Sequence, residues 1–172
     1  GLEWDPPHCT WFADGGLNVS ANCLDRHVEA GRGSKVAFHF VPEPEGEDDR
    51  AITYADLLAD VCRFANALRD LGIGKGDVVG LYMGMVPELA VAMLACARIG
   101  APHVVVFGGF SAEALGERLE STGAKLLVTQ DEAWRKGGRV PLKVTADAAV
   151  QLAPTVDHMV VLRRTGADVP MQ

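Results

Sequence analysis

Val78-Val79-Gly80-Leu81-Tyr82-Met83 leads into Pro87 and the apolar stretch Leu89 to Ile99, after which come Gly100 and Pro102-His103-Val104-Val105-Val106-Phe107. A continuous apolar run bounded by turn residues is the pattern of a strand covered on both faces, as in a parallel sheet. Pro87 suits a first helical position, and the apolar character of Leu89–Ile99 all the way round predicts a helix covered by other structure. Gly100 closes that helix, and a second strand follows. This strand, helix, strand unit decides the fold, because two parallel strands need a crossover and the helix supplies it.

The same cycle continues outward in both directions. Ser111 opens a helix through Leu115 and Leu119 to Gly123, and Lys125–Thr129 reads as another buried strand. Beyond a basic, glycine-containing connection, the pattern predicts a short helix over Ala146–Leu152 and a last strand over His158–Arg163. Toward the N-terminus, Lys35–Val41 alternates as a strand and pairs in a hairpin with Ala51-Ile52-Thr53 across the acidic turn Pro42–Arg50. Thr53-Tyr54-Ala55-Asp56 then fits a capping box ahead of a helix carrying Leu57, Val61, Phe64, Leu68 and Leu71. Alternation throughout makes the fold class α/β, a mostly parallel sheet flanked by helices. Residues 1–33 read as a lead-in segment in which Trp4, Trp11-Phe12 and Val19–Val28 are expected to be anchored. Within it, Asn18 or Ser20 is expected to cap a short helix bearing Cys23, Leu24, His27 and Val28. Residues 34–164 form the α/β unit, and 165–172 read as an interdomain connection cut short.

Composition narrows the classes. The chain of 172 residues carries 48% hydrophobic and 23% charged residues, ordinary for a globular domain with a real core. A net charge of −7 opposes general binding to nucleic acid, so an anionic ligand must find a local basic patch. No run is long enough to span a membrane, and the first residues lack the pattern of a secretory signal, so a cytoplasmic location is expected. Cys9, Cys23, Cys62 and Cys96 are far apart, with no paired spacing for zinc or a redox dithiol. Cys62 and Cys96 lie in apolar helical patterns and are expected to be reduced and buried.

Two segments could carry binding chemistry. Phe107-Gly108-Gly109-Phe110-Ser111 follows a strand and opens a helix, where free backbone N–H groups favour an anion and glycine admits a ligand close to the backbone. The same pattern serves as a plain tight connection, with Ser111 as an N-cap. Trp134-Arg135-Lys136-Gly137-Gly138-Arg139-Val140-Pro141-Leu142-Lys143 places four basic residues around a glycine pair in an otherwise acidic chain. It reads either as a phosphate site or as a solvated basic loop answering Asp131 and Glu132. In Asn22-Cys23-Leu24-Asp25-Arg26-His27, a helical phase puts Cys23 and His27 on one face and turns Asp25 away, so packing rather than catalysis is expected. No Gly-x-x-x-x-Gly-Lys-Ser/Thr loop, Gly-x-Gly-x-x-Gly turn or Gly-x-Ser-x-Gly elbow occurs.

Leu17-Asn18-Val19-Ser20-Ala21-Asn22-Cys23-Leu24-Asp25-Arg26-His27, then Met93 to His103, then Val105-Val106-Phe107-Gly108-Gly109-Phe110-Ser111 resemble, in order and spacing, landmarks of the acetyl-CoA synthetases. These belong to the adenylate-forming acyl-CoA synthetases. The resemblance runs from about Trp11 to Gly166 and implies the first part of the large N-terminal, AMP-binding domain. For a full enzyme it implies acetate, ATP with Mg2+, and coenzyme A as small-molecule substrates and cofactors, with acetyl-adenylate formed first and AMP then displaced by the thiol. It also implies that the ATP loop and catalytic lysine lie in stretches missing here, the rest of the same polypeptide. Adenylation by this chain alone is therefore not expected; no catalytic residue or metal ligand is assigned, and the piece itself requires no cofactor. Carried over residue by residue, the resemblance makes Gly109 the glycine beside coenzyme A and Arg135 the arginine at its nucleotide phosphate, with Lys136, Gly137 and Gly138 completing that segment. Many members place a basic residue where Gly138 stands, and whether Arg139 substitutes is open. A propionyl-CoA synthetase piece and a non-catalytic nucleotide- or partner-binding α/β module are the alternatives.

Overall fold

In the computed structural model, which describes residues 1–171, the chain folds around a parallel sheet of four strands, β5 (Val79–Met83), β6 (His103–Phe107), β7 (Leu126–Gln130) and β10 (His158–Leu162), in the spatial order β10-β7-β5-β6. All five residues of β5 and of β7 are buried, as expected of the two inner strands, whereas β6 at the edge exposes Val105 and Phe107. Period-two alternation divides β5 between two cores. Val79, Leu81 and Met83 pack with α1 (Tyr54–Asp70) and α2 (Pro87–Ile99). Tyr82 packs on the other face with α3 (Ala112–Thr122) and α4 (Leu142–Val150). Gly80 also lies toward this second face, and a Cβ there would collide with Leu119 Cδ2.

The helix signals act as local chemistry requires. Thr53 caps α1, its hydroxyl accepting from Asp56 N at 3.2 Å and donating to the Asp56 carboxylate at 2.6 Å. Ser111 caps α3 by accepting from Ala114 N at 3.3 Å. Gly100 and Gly123 end α2 and α3 in the left-handed conformation. The hairpin of β3 (Val36–Phe40) with β4 (Arg50–Thr53) forms as read.

Four features differ from expectation. Trp4, Trp11 and Phe12 are exposed, not anchored: they lie in and beside an antiparallel hairpin, β1 (Leu2–Asp5) with β2 (His8–Trp11), whose pairing puts Leu2, Trp4, Cys9 and Trp11 on one open face. The covering expected round α2 is partial, since Met93 on its outer side stays exposed. Helix α4 begins at Leu142 rather than Ala146, because Leu142, Ala146 and Ala149 together make its buried stripe. The basic connection is itself ordered, as the hairpin β8 (Ala133–Arg135) and β9 (Gly138–Val140). Residue 172, the last of the expected connection, lies outside the described residues.

The lead-in docks through its landmark residues. Asn18 accepts from Ala21 N at 3.1 Å and donates to the carbonyls of Ala97 and Arg98 in the last turn of α2, adding a partner for Ala97, which also accepts the capping Gly100 N–H. Asp25 receives a two-pronged bond from Arg98, both arms 2.8 Å, and the guanidinium holds its carboxyl below the usual range despite partial burial. Asp25 therefore turns away from Cys23 and His27 for a structural purpose. His27 accepts from Arg32 at 2.9 Å, and desolvation, then the neighbouring Arg32, Arg26 and Lys35, hold its pKa down. None of the four cysteines is disulfide-bonded; Cys96 is buried, which pushes its thiol up to about 12, and Cys62 is half-buried.

Candidate functional site

Strand order creates a crevice. From β5 the chain crosses by α2 to β6 on one side, whereas β7, reached by α3 over the opposite face, lies on the other side of β5. Ligands of open parallel sheets bind outside the carboxyl ends of strands where the order reverses in this way. A cleft of about 240 Å³ opens there, lined by Met83 and Gly84 after β5, Phe107 and Gly108 after β6, and Gln130 after β7. The hairpin β8–β9 forms a further wall through Trp134, Arg135 and Val140, and Arg164 lines the cleft from the loop after β10.

Two residues expected to share a site do meet. Arg135 lies against Gly109: a Cβ on the glycine would overlap guanidinium nitrogen Nη1 and stand 3.2 Å from Cζ. The same guanidinium lies 4.8 Å from the centre of the Phe107 ring, a cation–π contact. Among the described residues no carboxylate pairs with it. Arg135 is thus a fixed cation whose charge is free for a ligand. Lys136 and Gly137 form the two-residue tip of the hairpin, with φ of 52° and 74°, the paired positive values that such tight turns demand. Lys136 is exposed, and Gly137 donates its N–H to Glu43 Oε1 at 2.8 Å.

Gly138 pairs directly with Arg135, and a Cβ there would meet only the Arg135 carbonyl, at an ordinary 3.7 Å. Arg139 does not fill that place. It pairs with Trp134, and adjacent strand residues face opposite ways, so it lies on the other face from Arg135. There it stacks 5.0 Å over Trp134 and reaches Glu132 at 3.2 Å. The basic segment thus answers Glu132 but not Asp131.

Three buried polar residues that sequence reasoning did not single out build the walls. The hydroxyl of Tyr82 donates to the Phe110 carbonyl at 3.0 Å, with the Gly108 carbonyl at 3.5 Å, fixing the turn that carries Gly109; burial raises its pKa. Gln130 accepts from Gly84 N at 2.9 Å and donates to the Glu132 carbonyl at 2.6 Å, tying the end of β5 to the start of the hairpin. Asp131, fully buried, accepts from the backbone N–H groups of Glu132, Arg164, Thr165, Gly166 and Ala167. Desolvation pushes its pKa up, but the backbone donors outweigh that and hold the carboxyl below its usual range. The available signal was a polar run, Thr129-Gln130-Asp131-Glu132, directly after an apolar strand at the carboxyl edge of the sheet. Among the described residues no cluster of three metal-ligating side chains occurs, and no helix is long and apolar enough to cross a membrane.

A family model described as AMP-binding enzyme matches residues 24–170. Acetyl-coenzyme A synthetase of Streptomyces coelicolor is 54% identical over 169 residues, covering 98% of this chain and 26% of the relative. That of Rhodopirellula baltica is 52% identical over 174 residues, and that of Methanothrix thermoacetophila 50% over 171, each covering 99% of this chain and 26% of the relative. The chain spans about a quarter of the length of the curated relatives it matches.

Proposed function

We propose, from the premise that the chain belongs to the AMP-binding enzyme family, that it is part of an acetyl-CoA synthetase and supplies one side of that enzyme's coenzyme A site. The observation that carries this reading is the approach of Arg135 to Gly109 across the mouth of the cleft, with no carboxylate competing for the guanidinium. Gly109 keeps the turn flat enough for the guanidinium and a ligand to share it, and Phe107 holds the cation from below. Lys136 adds an exposed positive charge at the hairpin tip, Gly137 makes the tip possible, and Gly138 leaves Arg135 uncrowded. Such a cradle suits a phosphate of the nucleotide end of coenzyme A, with Trp134, Phe107 and Met83 as apolar surface alongside.

In the same reading the whole enzyme takes acetate, ATP with Mg2+, and coenzyme A, with adenylate chemistry carried by the remainder of the longer polypeptide. A reducing, cytoplasmic setting belongs to the proposal and is supported by the unpaired thiols.

The test uses the product of the complete natural reading frame, assayed with acetate and with propionate. Preference for acetate is expected; preference for propionate would move the assignment to the propionyl-CoA synthetases, and no coenzyme A-dependent turnover with either acid would sink it. For the site, wild-type protein is expected to bind coenzyme A more tightly than dephospho-coenzyme A by roughly 10- to 100-fold, the equivalent of one charge-assisted contact. Arg135→Met should erase most of that difference. Equal affinities in the wild type would count against a phosphate contact at Arg135.

A further inference from the structure

One wall of the cleft belongs to neither the sheet nor the basic hairpin. The segment after β3 lines it through Val41, Glu43 and Pro44, facing Arg135 and Arg164. Glu43 Oε1 accepts the Gly137 N–H at the hairpin tip, and Glu47 forms an ion pair with Arg164. Two carboxylates of one short acidic loop thus engage donors on two separate elements beside the same cavity.

Arg164 is held there independently of its carboxylate partner. Its backbone N–H donates to buried Asp131 at 2.8 Å, and the next three residues are fixed by the same carboxylate. Its side chain is only 20% exposed. It is therefore a positioned cation at the cleft wall, comparable with Arg135 except that an internal anion covers it.

We propose that Arg164 is a further anion-contact point of this cleft beside the Gly137 N–H, and that Glu47 is the internal counter-ion of the guanidinium and Glu43 the internal acceptor of the N–H, together a strap that yields to a phosphate-bearing ligand. The proposal rests on reading the cleft as the coenzyme A site. Partly exposed carboxylate pairs contribute little to stability, so releasing them is inexpensive. A phosphate monoester offers more charge and three acceptor oxygens in place of a carboxylate's two, which favours the exchange. The strap also sets a specificity rule: a neutral or singly charged ligand does not displace it, whereas a polyanion does.

The experiment takes the product of the complete natural reading frame as wild type and as the variants Glu43→Gln with Glu47→Gln, Glu45→Gln, and Arg164→Met. Glu45 lies in the same loop, is exposed and has no cationic partner among the described residues, so its variant controls for a simple change in charge. Amide hydrogen exchange is followed by peptide, without ligand and with saturating coenzyme A, alongside calorimetric Kd values for coenzyme A. Without ligand, the double variant should exchange faster over residues 41–47, where the ion pair to Arg164 is lost, and Glu45→Gln should match wild type. With coenzyme A, wild type should gain protection over 133–140 while losing it over 41–47. The double variant should bind roughly three- to tenfold more tightly and Arg164→Met more weakly, with Glu45→Gln unchanged.

Joint protection of 41–47 and 133–140 by coenzyme A would overturn the strap, as would an equal gain in affinity from Glu45→Gln. If coenzyme A leaves 133–140 unchanged, the coenzyme A reading fails. The strap is then judged by the ligand-free comparison alone: faster exchange in the double variant supports it, and unchanged exchange overturns it.

Discussion

Tyr82 shows how a single hydroxyl fixes a turn. It reaches from an inner strand to the Phe110 carbonyl and so holds the turn on which Gly109 sits. Tyr82→Phe is expected to cost about 1 kcal/mol of stability in denaturant unfolding, the net contribution of one such bond. Coenzyme A affinity should fall with it, because the turn loses its tether. Gly138 permits the opposite experiment. It has an ordinary backbone conformation and open space beside it, so Gly138→Arg should fold normally and place a second guanidinium on the Arg135 side of the hairpin. Calorimetry should show tighter binding of coenzyme A but little change for dephospho-coenzyme A. At this scale the sequence was legible only in part. Gly109 and Arg135 could be named from linked motifs, but their contact depends on two turns at the ends of different strands. Tyr82, Gln130 and Asp131 looked like strand and loop residues because a hydrogen bond to a distant backbone leaves no periodic mark.

At the scale of elements, the strands and long helices followed from apolar spacing and capping, since those signals are local. The hairpin β8–β9 was harder to see because its strands are very short and its tip is Lys136-Gly137, with a lysine in place of the Asn or Asp usual in such turns. Its place is set from outside, by Gln130 at its base and Glu43 at its tip. Asp131 does the same for the loop after β10. Asp131→Asn substitutes an amide donor where backbone donors converge and should cost about 3 kcal/mol, read from thermal or denaturant unfolding. Because Arg164 rides on that loop, the variant should also weaken coenzyme A binding, whereas Asp25→Asn, which loosens the lead-in from α2, should destabilise the protein without a comparable change in affinity.

For the molecule as a whole, the depressed carboxyls of Asp25 and Asp131 give stability a definite pH dependence. A folded-state pKa below the unfolded value means that their contribution is complete above the unfolded pKa, near pH 4, and is lost as pH falls through the folded one. Acid unfolding followed by circular dichroism should therefore lie at lower pH in the wild type than in Asp131→Asn. Apolar surface remains open among the described residues, notably the hairpin face bearing Leu2, Trp4 and Trp11, and a groove of about 470 Å³ where Phe38, Phe64, Val91 and Leu162 lie on the α1–α2 side of the sheet. The 172-residue chain on its own should accordingly self-associate with rising concentration in sedimentation experiments. Global charge and fold class were readable early; these bare faces were not, because Trp4 and Trp11 have the composition of packing anchors whether or not anything covers them. The distribution of the cleft's walls along the chain bears on its synthesis. A ribosome releases the acidic strap early, then Phe107, then the hairpin, and Arg164 only near the end of this stretch. Glu47 therefore emerges long before its partner, and the cleft closes late, once β10 has joined the sheet.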